Sequence, residues 1–396
     1  MCTDLYEDFA SYGFDVELYT PTPTRGVSDD VRKEYKKKRL EVKCDGMLKI
    51  HRFWMPKEGK NTVTRAFRYF LLNLILICKA LPVKTDLIFL QSTPPTQGAV
   101  GAILKKIKKI PCIYYLQDIF PDSMVNMGLT KHGSLIYNLG RKMEDFTYQN
   151  MDKIITITND CKQNILAKSV PESKIEIVSN WVDDKVIVPI SKKDNILFDK
   201  IGLDRNKFYV VYAGNLGYAQ NIEIILQTAK EMSDNPEIQF ILFGNGTLEN
   251  NHKQKAIELG LNNTLFFPLQ PYTLVSHVYS LGDVSIVTCK EGFGGSAMPS
   301  KTWSIMSAGT PVIANFDAGG DMQRIIESNK IGIFSKAGDV EAFKTAIFTL
   351  FNNRQLCSEM GDNGRKFIVE NLTRQICVTK IIKITEKVIR GHNYVS

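Results

Sequence analysis

The chain has little of what marks the commoner catalytic systems. Only five of its 396 residues are histidine: His51, His132, His252, His277 and His392. None stands with a Cys or Asp at metal-ligand spacing, so no zinc-type centre is indicated. No GxSxG elbow and no P-loop is present, which removes the serine-hydrolase and P-loop readings. No Asp-X-Asp pair follows a candidate strand, so nothing points to a metal-held diphosphate. The eight cysteines are scattered without a C-x-x-C pair, several of them inside apolar runs. They read as buried thiols of a reducing cytoplasm, not as a disulfide framework or a zinc site. The opening MCTDLYEDFA is polar and acidic and lacks a signal-peptide pattern. The longest apolar stretch, residues 67–81, contains Arg68, Asn73 and Lys79 and is too short and too charged for a membrane span.

What is present is globular material for two domains. The length exceeds one ordinary core, and 44% hydrophobic with 23% charged residues suits a folded chain. The net charge of +8 is uneven: residues 1–189 carry 28 Lys+Arg against 22 Asp+Glu, the remainder 22 against 20. A basic first half suits an acidic partner surface, such as anionic lipid or a phosphorylated acceptor. No recognisable motif supports nucleic acid as a partner.

Short apolar runs alternate with amphipathic helical segments, which predicts α/β domains with parallel sheets. Strands are expected at 15–19, 86–91, 112–117, 153–158 and 174–179, then at 208–213, 239–243, 264–268, 283–288, 311–314 and 332–334. Runs such as FYVVYAG and IQFILFG fit strands buried on both faces. The polar, broken stretch around 180–190 is the expected linker. The resulting division is 1–183, 184–373 and a terminal helix and tail over 374–396. The start is unusual. Residues 3–12 read as a helix end followed at once by strand FDVELYT, whereas a Rossmann-like domain opens with a strand and glycine loop before that helix. That strand and loop are expected to be missing, through a misplaced start or truncation.

The most informative stretch is GGSAMPSKTWSIMSAG, residues 294–309, followed by TPVIA. It reads as glycine loop, helix, short turn and buried strand. Pro299 suits a first helical turn, and Ser296 or Ser300 could cap it. The free N–H groups of such a helix end bind phosphate, and Lys301 adds a full charge there. The plain alternative is an ordinary helix start with a solvated lysine. Two further turns, AGNLG at 213–217 and GNG at 244–246, follow strands and are placed to face one ligand. Such glycine–asparagine pairs also mark tight turns anywhere. In the first half, strand 112–117 runs into Asp118. Its carboxylate points toward a cleft, or else Asp118 or Asp122 caps the next helix. Residues 64–81 are apolar with basic edges, and 99–109 end in KKIKK. Interfacial helices and core helices with a solvated basic face both fit.

STPPTQGAVGAIL, YYLQDIFPDSMVNMGL, SNWVD, YAGNLGYAQNIE and MPSKTWSIMSAGTPVIA, with their spacing, resemble glycosyltransferase family 4 in its bacterial O-antigen, capsule and exopolysaccharide branch. The resemblance runs from Leu5 onward. It implies an α/β GT-B fold of two facing Rossmann-like domains, with the final helix crossing back to the first. It implies retaining transfer from a nucleotide-sugar, without metal or cofactor, to a polyprenyl-diphosphate-linked sugar at an anionic membrane surface. The donor site falls on Gly214, Asn215, Leu216, Gly244, Asn245, Gly246, Leu269, Ser296, Met298, Pro299, Ser300 and Lys301, with residues 267–269 beside base and ribose. Asp118 falls near sugar and acceptor, and Asn180 and Trp181 at the hinge. There are departures. Two glutamates common in the donor loop are Ser296 and Ser304 here, leaving Glu291 as the nearest acid, useful only if its loop folds inward. Asn215 and Gln220 replace a common Arg and Lys, and Gln117 a common His. Rival readings are a UDP-sugar 2-epimerase of the same fold and an inactive or truncated membrane-associated partner subunit.

Overall fold

The computed structural model describes residues 2–24, 27–57, 62–126, 128–294 and 298–393. They form two α/β units. The first comprises Met1–Ile157, Lys162–Val178 and Val378–Ser396, the second Thr158–Cys161 and Ser179–Cys377. The main division thus falls at 178/179, ahead of the expected 183/184.

In the first unit, β1 (Val16–Pro21), β2 (Leu40–Lys43) and β3 (Leu48–Phe53) form one sheet, in the order β1-β3-β2. Four strands, β4 (Ile88–Gln91), β5 (Cys112–Leu116), β6 (Lys153–Thr156) and β7 (Ile175–Ile177), form a parallel sheet in sequence order. The helix Cys2–Ser11 leads directly into β1 and packs Ala10 against Leu48 and Ile50. The hairpin of β2 and β3 is antiparallel and lies outside the expected strands. Its segments LEVK and LKIHRF mix charged with apolar residues, so the apolar signal is weak. The turn carries the information instead: Cys44, Asp45 and Gly46 all take left-handed φ values of 53°, 52° and 95°. Arg52 and Glu41 then pair across the hairpin at 2.7 Å. Close packing on the second sheet depends on Gly101 in the helix Gln97–Lys108. A Cβ there would lie 2.0 Å from Leu90 and 3.1 Å from the Cys112 sulfur.

In the second unit, β8 (Phe208–Asn215), β9 (Ile238–Asn245), β10 (Thr264–Phe267), β11 (Val284–Thr288), β12 (Val312–Phe316) and β13 (Gly332–Lys336) form one parallel sheet in the order β10-β9-β8-β11-β12-β13. Strands β8, β11 and β12 are buried along most or all of their length, as double-faced strands must be. Both β8 and β9 run two residues past their expected ends, because Gly214 pairs with Gly244 and Asn215 with Asn245. The chain moves outward from β8 through β9 to β10, then returns to the other side of β8 with β11. That reversal is a topological switch point, and ligands bind outside the strand ends there.

The expected linker is strapped to the second unit. Val188 and Ile190 donate their N–H groups to the hydroxyls of Ser276 and Ser280, each at 3.1 Å. Arg365 donates to the carbonyls of Asp184, Ile187 and Ser307. A polar composition here reflects backbone groups satisfied by side chains, not a free tether. The last helix, Arg374–Asn393, joins the first unit from Val378 on. There Thr379 bonds the Tyr12 hydroxyl at 2.9 Å, and His392 bonds the Lys109 carbonyl at 3.0 Å.

Candidate functional site

The switch point brings the end of β8 against the helix Ser300–Ser307 that follows β11. Lys301 is the meeting point. Its Nζ lies 4.1 Å from the centre of the Tyr212 ring. A Cβ on Gly214 would stand 3.2 Å from it, and the Gly214 φ of 155° also favours glycine. The Lys301 residue is half-buried overall, but its Nζ is shut off from water and has no hydrogen-bond partner among the described residues. Desolvation pushes its pKa down to about 8. A cation over an aromatic face recovers part of the lost hydration. The remainder is an unmet demand for an anion.

The start of the same helix adds to that demand. Pro299 occupies the capping position with φ −61° and ψ 125°, and among the described residues no side chain caps the turn. Ser300 is therefore the first helical residue, exposed, and not the expected cap; Ser296 lies outside the described residues. Met298 and Pro299 are half-buried beside it. An uncapped helix N-terminus with a desolvated ammonium one residue in is a cradle for phosphate oxygens.

The glycine turns have a different reason from the one expected. A Cβ on Gly244 would stand 2.1 Å from the Gly214 carbonyl oxygen, and one on Gly246 2.4 Å from that of Leu216. Both glycines serve the packing of one turn on the other. Leu216 is a correction to the expected donor site. Its side chain is core, its N–H donates to the Asn245 carbonyl at 2.8 Å, and its carbonyl accepts from Leu248 at 3.0 Å. Asn215 and Asn245 are exposed at the paired strand ends, and Asn215 donates to the Gln220 side chain at 3.3 Å. Leu269 is exposed two residues beyond β10, whose Phe267 stacks on Phe243 at 5.5 Å.

The loop after β11 is held by a residue the sequence reading passed over. The Asp317 carboxylate accepts the N–H of Gly292 at 2.9 Å and of Gly294 at 2.7 Å. Its signal was available, since an acid directly after the buried strand VIANF occupies the same kind of position as Asp118 after its strand. The loop does not turn Glu291 inward. That side chain is exposed and pairs with Lys336 at 3.5 Å, contrary to the catalytic role considered for it.

In the first unit, Asp118 follows β5 and lines a small cavity with Pro95, Tyr114, Phe120, Glu144 and Tyr148. Burial raises its pKa, opposed by hydrogen bonds from Ser123 and the Ile119 N–H. The residue keeps an open side, so water limits that rise. Behind it lies a buried ionic network. Lys168 bonds both Asp122 at 2.8 Å and Glu144 at 2.9 Å, Arg141 also pairs with Glu144, and Tyr148 donates to Glu144 at 2.6 Å. Burial alone would raise Asp122, but Lys168, Asn164 and Tyr137 together hold it below the usual carboxylate range.

Of the two basic apolar segments, the helix Gln97–Lys108 packs as a core helix. Lys105 pairs with Asp152 at 2.6 Å, Lys106 lies over the Phe146 ring, and Lys108 donates to the carbonyls of Leu81 and Val83. The helix Thr62–Ala80 leaves Phe67, Phe70 and Leu74 exposed. Among the described residues no helix is long and apolar enough to cross a membrane.

Comparison with known proteins follows the same division. The model for Glycosyltransferase Family 4 matches residues 1–186, and that for Glycosyl transferases group 1 matches residues 193–367. The probable glycosyltransferase WbjE of Pseudomonas aeruginosa is 26% identical over 83% of this chain and 82% of its own. The putative colanic acid biosynthesis glycosyl transferase WcaI of Escherichia coli is 26% identical over 57% of this chain and 56% of its own. Among solved structures, sucrose-phosphate synthase from Thermosynechococcus elongatus superposes with a TM-score of 0.78 at 15% identity, covering 98% of this chain and 93% of that one. HepE of Anabaena in complex with UDP gives 0.72 at 15% identity, covering 94% and 99%. Such identities speak for the fold. With both units matched by adjoining family models, the chain belongs to the group 1, family 4 glycosyltransferases and has their GT-B fold.

Proposed function

We propose that this glycosyltransferase moves a sugar from a UDP-sugar to a lipid-linked glycan acceptor, with retention of configuration and without a metal, in the synthesis of a bacterial surface polysaccharide. The observation that carries the donor half is Lys301: a water-excluded ammonium that, among the described residues, has no hydrogen-bond partner and stands beside an uncapped helix N-terminus at the switch point. WbjE and WcaI, named for glycosyl transfer and colanic acid synthesis, and the UDP and UDP-glucose complexes of HepE support this reading.

In this mechanism the diphosphate docks on the N–H groups of Ser300 and Lys301, and the Lys301 charge offsets the charge that grows on the leaving UDP. The bond between the sugar C1 and the phosphate oxygen breaks. The acceptor hydroxyl oxygen bonds C1 on the same face, and its proton passes to the departing phosphate. Asp118 accepts a hydrogen bond from that hydroxyl and orients it. The acceptor is a polyprenyl-diphosphate sugar, which places the enzyme peripherally at the inner face of the cell membrane.

Lys301→Ala tests the donor site. UDP affinity is measured by calorimetry, and transfer from UDP-sugars with a membrane fraction as acceptor. Loss of one charged phosphate contact lowers affinity and transfer by roughly 100-fold. Unchanged affinity and rate would sink the assignment.

A further inference from the structure

The turn that leaves β8 carries no charge of its own. Residues 213–221 read AGNLGYAQN, without Lys, Arg, Asp or Glu. A nucleotide diphosphate bears a negative charge on each phosphate, more than the single Lys301 ammonium meets. The neighbouring strand β11 supplies a second cation to this turn, Lys290, two residues past its end.

Backbone bonds lace the end of β11 to that turn. Lys290 donates its N–H to the Ala219 carbonyl at 2.9 Å, and the Thr288 hydroxyl donates to the Gln220 carbonyl. The Lys290 side chain folds back over the turn, with its Nζ 5.7 Å from the centre of the Tyr218 ring. The lysine is half-buried, whereas the ring is 66% exposed. A tyrosine this bare contributes little to the core, but its face holds a cation in place. Lys301 stands at Gly214 and Lys290 at Tyr218, so the two ammonium groups border the two ends of one uncharged turn.

The acids nearby in the chain are engaged elsewhere. Glu291 pairs with Lys336, and Asp317 accepts the two glycine N–H groups of the loop. Among the described residues no carboxylate pairs with Lys290. Burial pushes the pKa of His252 down, opposed by Glu223 and helped by the Lys290 charge, so this imidazole offers that charge no partner. We infer that Lys290, steadied by Tyr218, is a second phosphate-binding cation of the donor site and shares the diphosphate charge with Lys301. A lysine serving only as a solvated surface charge has no need of an aromatic platform or of two backbone ties beneath it. The inference rests on the donor reading of the proposed function and adds to it a residue and the aromatic side chain that positions it.

The test is calorimetry on the full chain with UDP, uridine and inorganic pyrophosphate. Lys290→Gln lowers UDP affinity roughly tenfold at an unchanged melting temperature and leaves uridine affinity as it is. Lys290→Arg stays within about threefold of wild type, since the charge and the stacking survive. Tyr218→Leu costs about threefold, and adding it to Lys290→Gln costs nothing more, because the ring acts through the lysine. In the wild-type chain, UDP and not uridine shields Lys290 from acetylation, read by peptide mass spectrometry. Wild-type UDP affinity in Lys290→Gln, an equal loss for uridine, or a lysine acetylated as fast with UDP as without it overturns the inference. A chain that binds pyrophosphate through Lys290 but does not bind UDP keeps this inference and loses the UDP-sugar reading. A chain that binds UDP equally well with and without the Lys290 charge does the opposite.

Discussion

The Lys301 ammonium and the Tyr212 ring, 4.1 Å apart, form a contact that stabilises an otherwise unsatisfied charge in the free protein. Two consequences follow with opposite signs for folding and binding. Unfolded, this lysine keeps its proton to about pH 10.5; folded, it gives it up at about 8. The unfolded chain therefore holds more protons between those values, and stability of the free protein rises with pH across that window. Lys301→Met removes the penalty and raises stability near pH 7 by about 2 kcal/mol while donor binding is lost. Urea unfolding with UDP calorimetry reads both. A destabilised variant would show that the charge is not buried as described.

Donor affinity carries the same signature. The bound diphosphate needs the charged lysine, so affinity is flat below about pH 8. It falls toward tenfold per pH unit above that, with proton uptake on binding near the midpoint. Lys301→Arg stays charged and abolishes the alkaline fall. Calorimetry in buffers of different ionisation enthalpy measures the uptake directly, and its absence contradicts a neutralised lysine in the free state.

Gly244 has no room for a side chain, because a Cβ would stand 2.1 Å from the Gly214 carbonyl oxygen. Gly244→Ala forces the two turns apart and costs about 2 kcal/mol. UDP affinity falls with it, since Gly214 also borders Lys301. A neutral outcome in denaturant melts would show that the turns tolerate separation.

Asp317 holds the loop after β11 through two glycine N–H groups. Replacement by Ala removes two bonds to a charged acceptor and loosens the approach to the helix at Ser300. Stability drops by about 2 kcal/mol and the donor KM rises. Hydrogen exchange at Gly292 and Gly294 localises the effect, and unchanged protection there would contradict it.

Glu144 is nearly inaccessible and is shared by Arg141, Lys168 and Tyr148. Glu144→Ala takes away the acid that Arg141 and Lys168 share, leaving each with one remaining carboxylate, Asp145 and Asp122, and costs about 2 kcal/mol, read by thermal or urea unfolding of the whole chain. A change below about 1 kcal/mol would mean that the network is solvated when free to relax.

Much of the fold follows from local pattern. The runs FYVVYAG and IQFILFG are strands because near-continuous β-rich apolar sequence suits no solvent-facing element, and β8 and β9 lie where those runs lie. The helix after Met298-Pro299 begins where a proline sets its entry, so Ser300 and Lys301 were legible as a helix start. The hairpin of β2 and β3 was not legible, because it rests on a left-handed turn and the cross-strand pair of Arg52 with Glu41, neither of which has a hydrophobic period.

What no local pattern contains is desolvation, since burial depends on chain brought in from elsewhere. Lys301 becomes a hungry cation only because β8, more than eighty positions earlier in the chain, lays Tyr212 and Gly214 against it. Leu216 reads as part of a ligand turn, and tertiary packing spends both its backbone groups on Asn245 and Leu248. Leu135 and Leu139 stand on a helix whose opposite face only the assembled unit buries, and that packing leaves them outside. Sequence by itself determined which segments are strands and helices and where a phosphate-seeking helix begins. Tertiary structure alone decided which charge is starved of partners and which apolar side chains are left to the solvent.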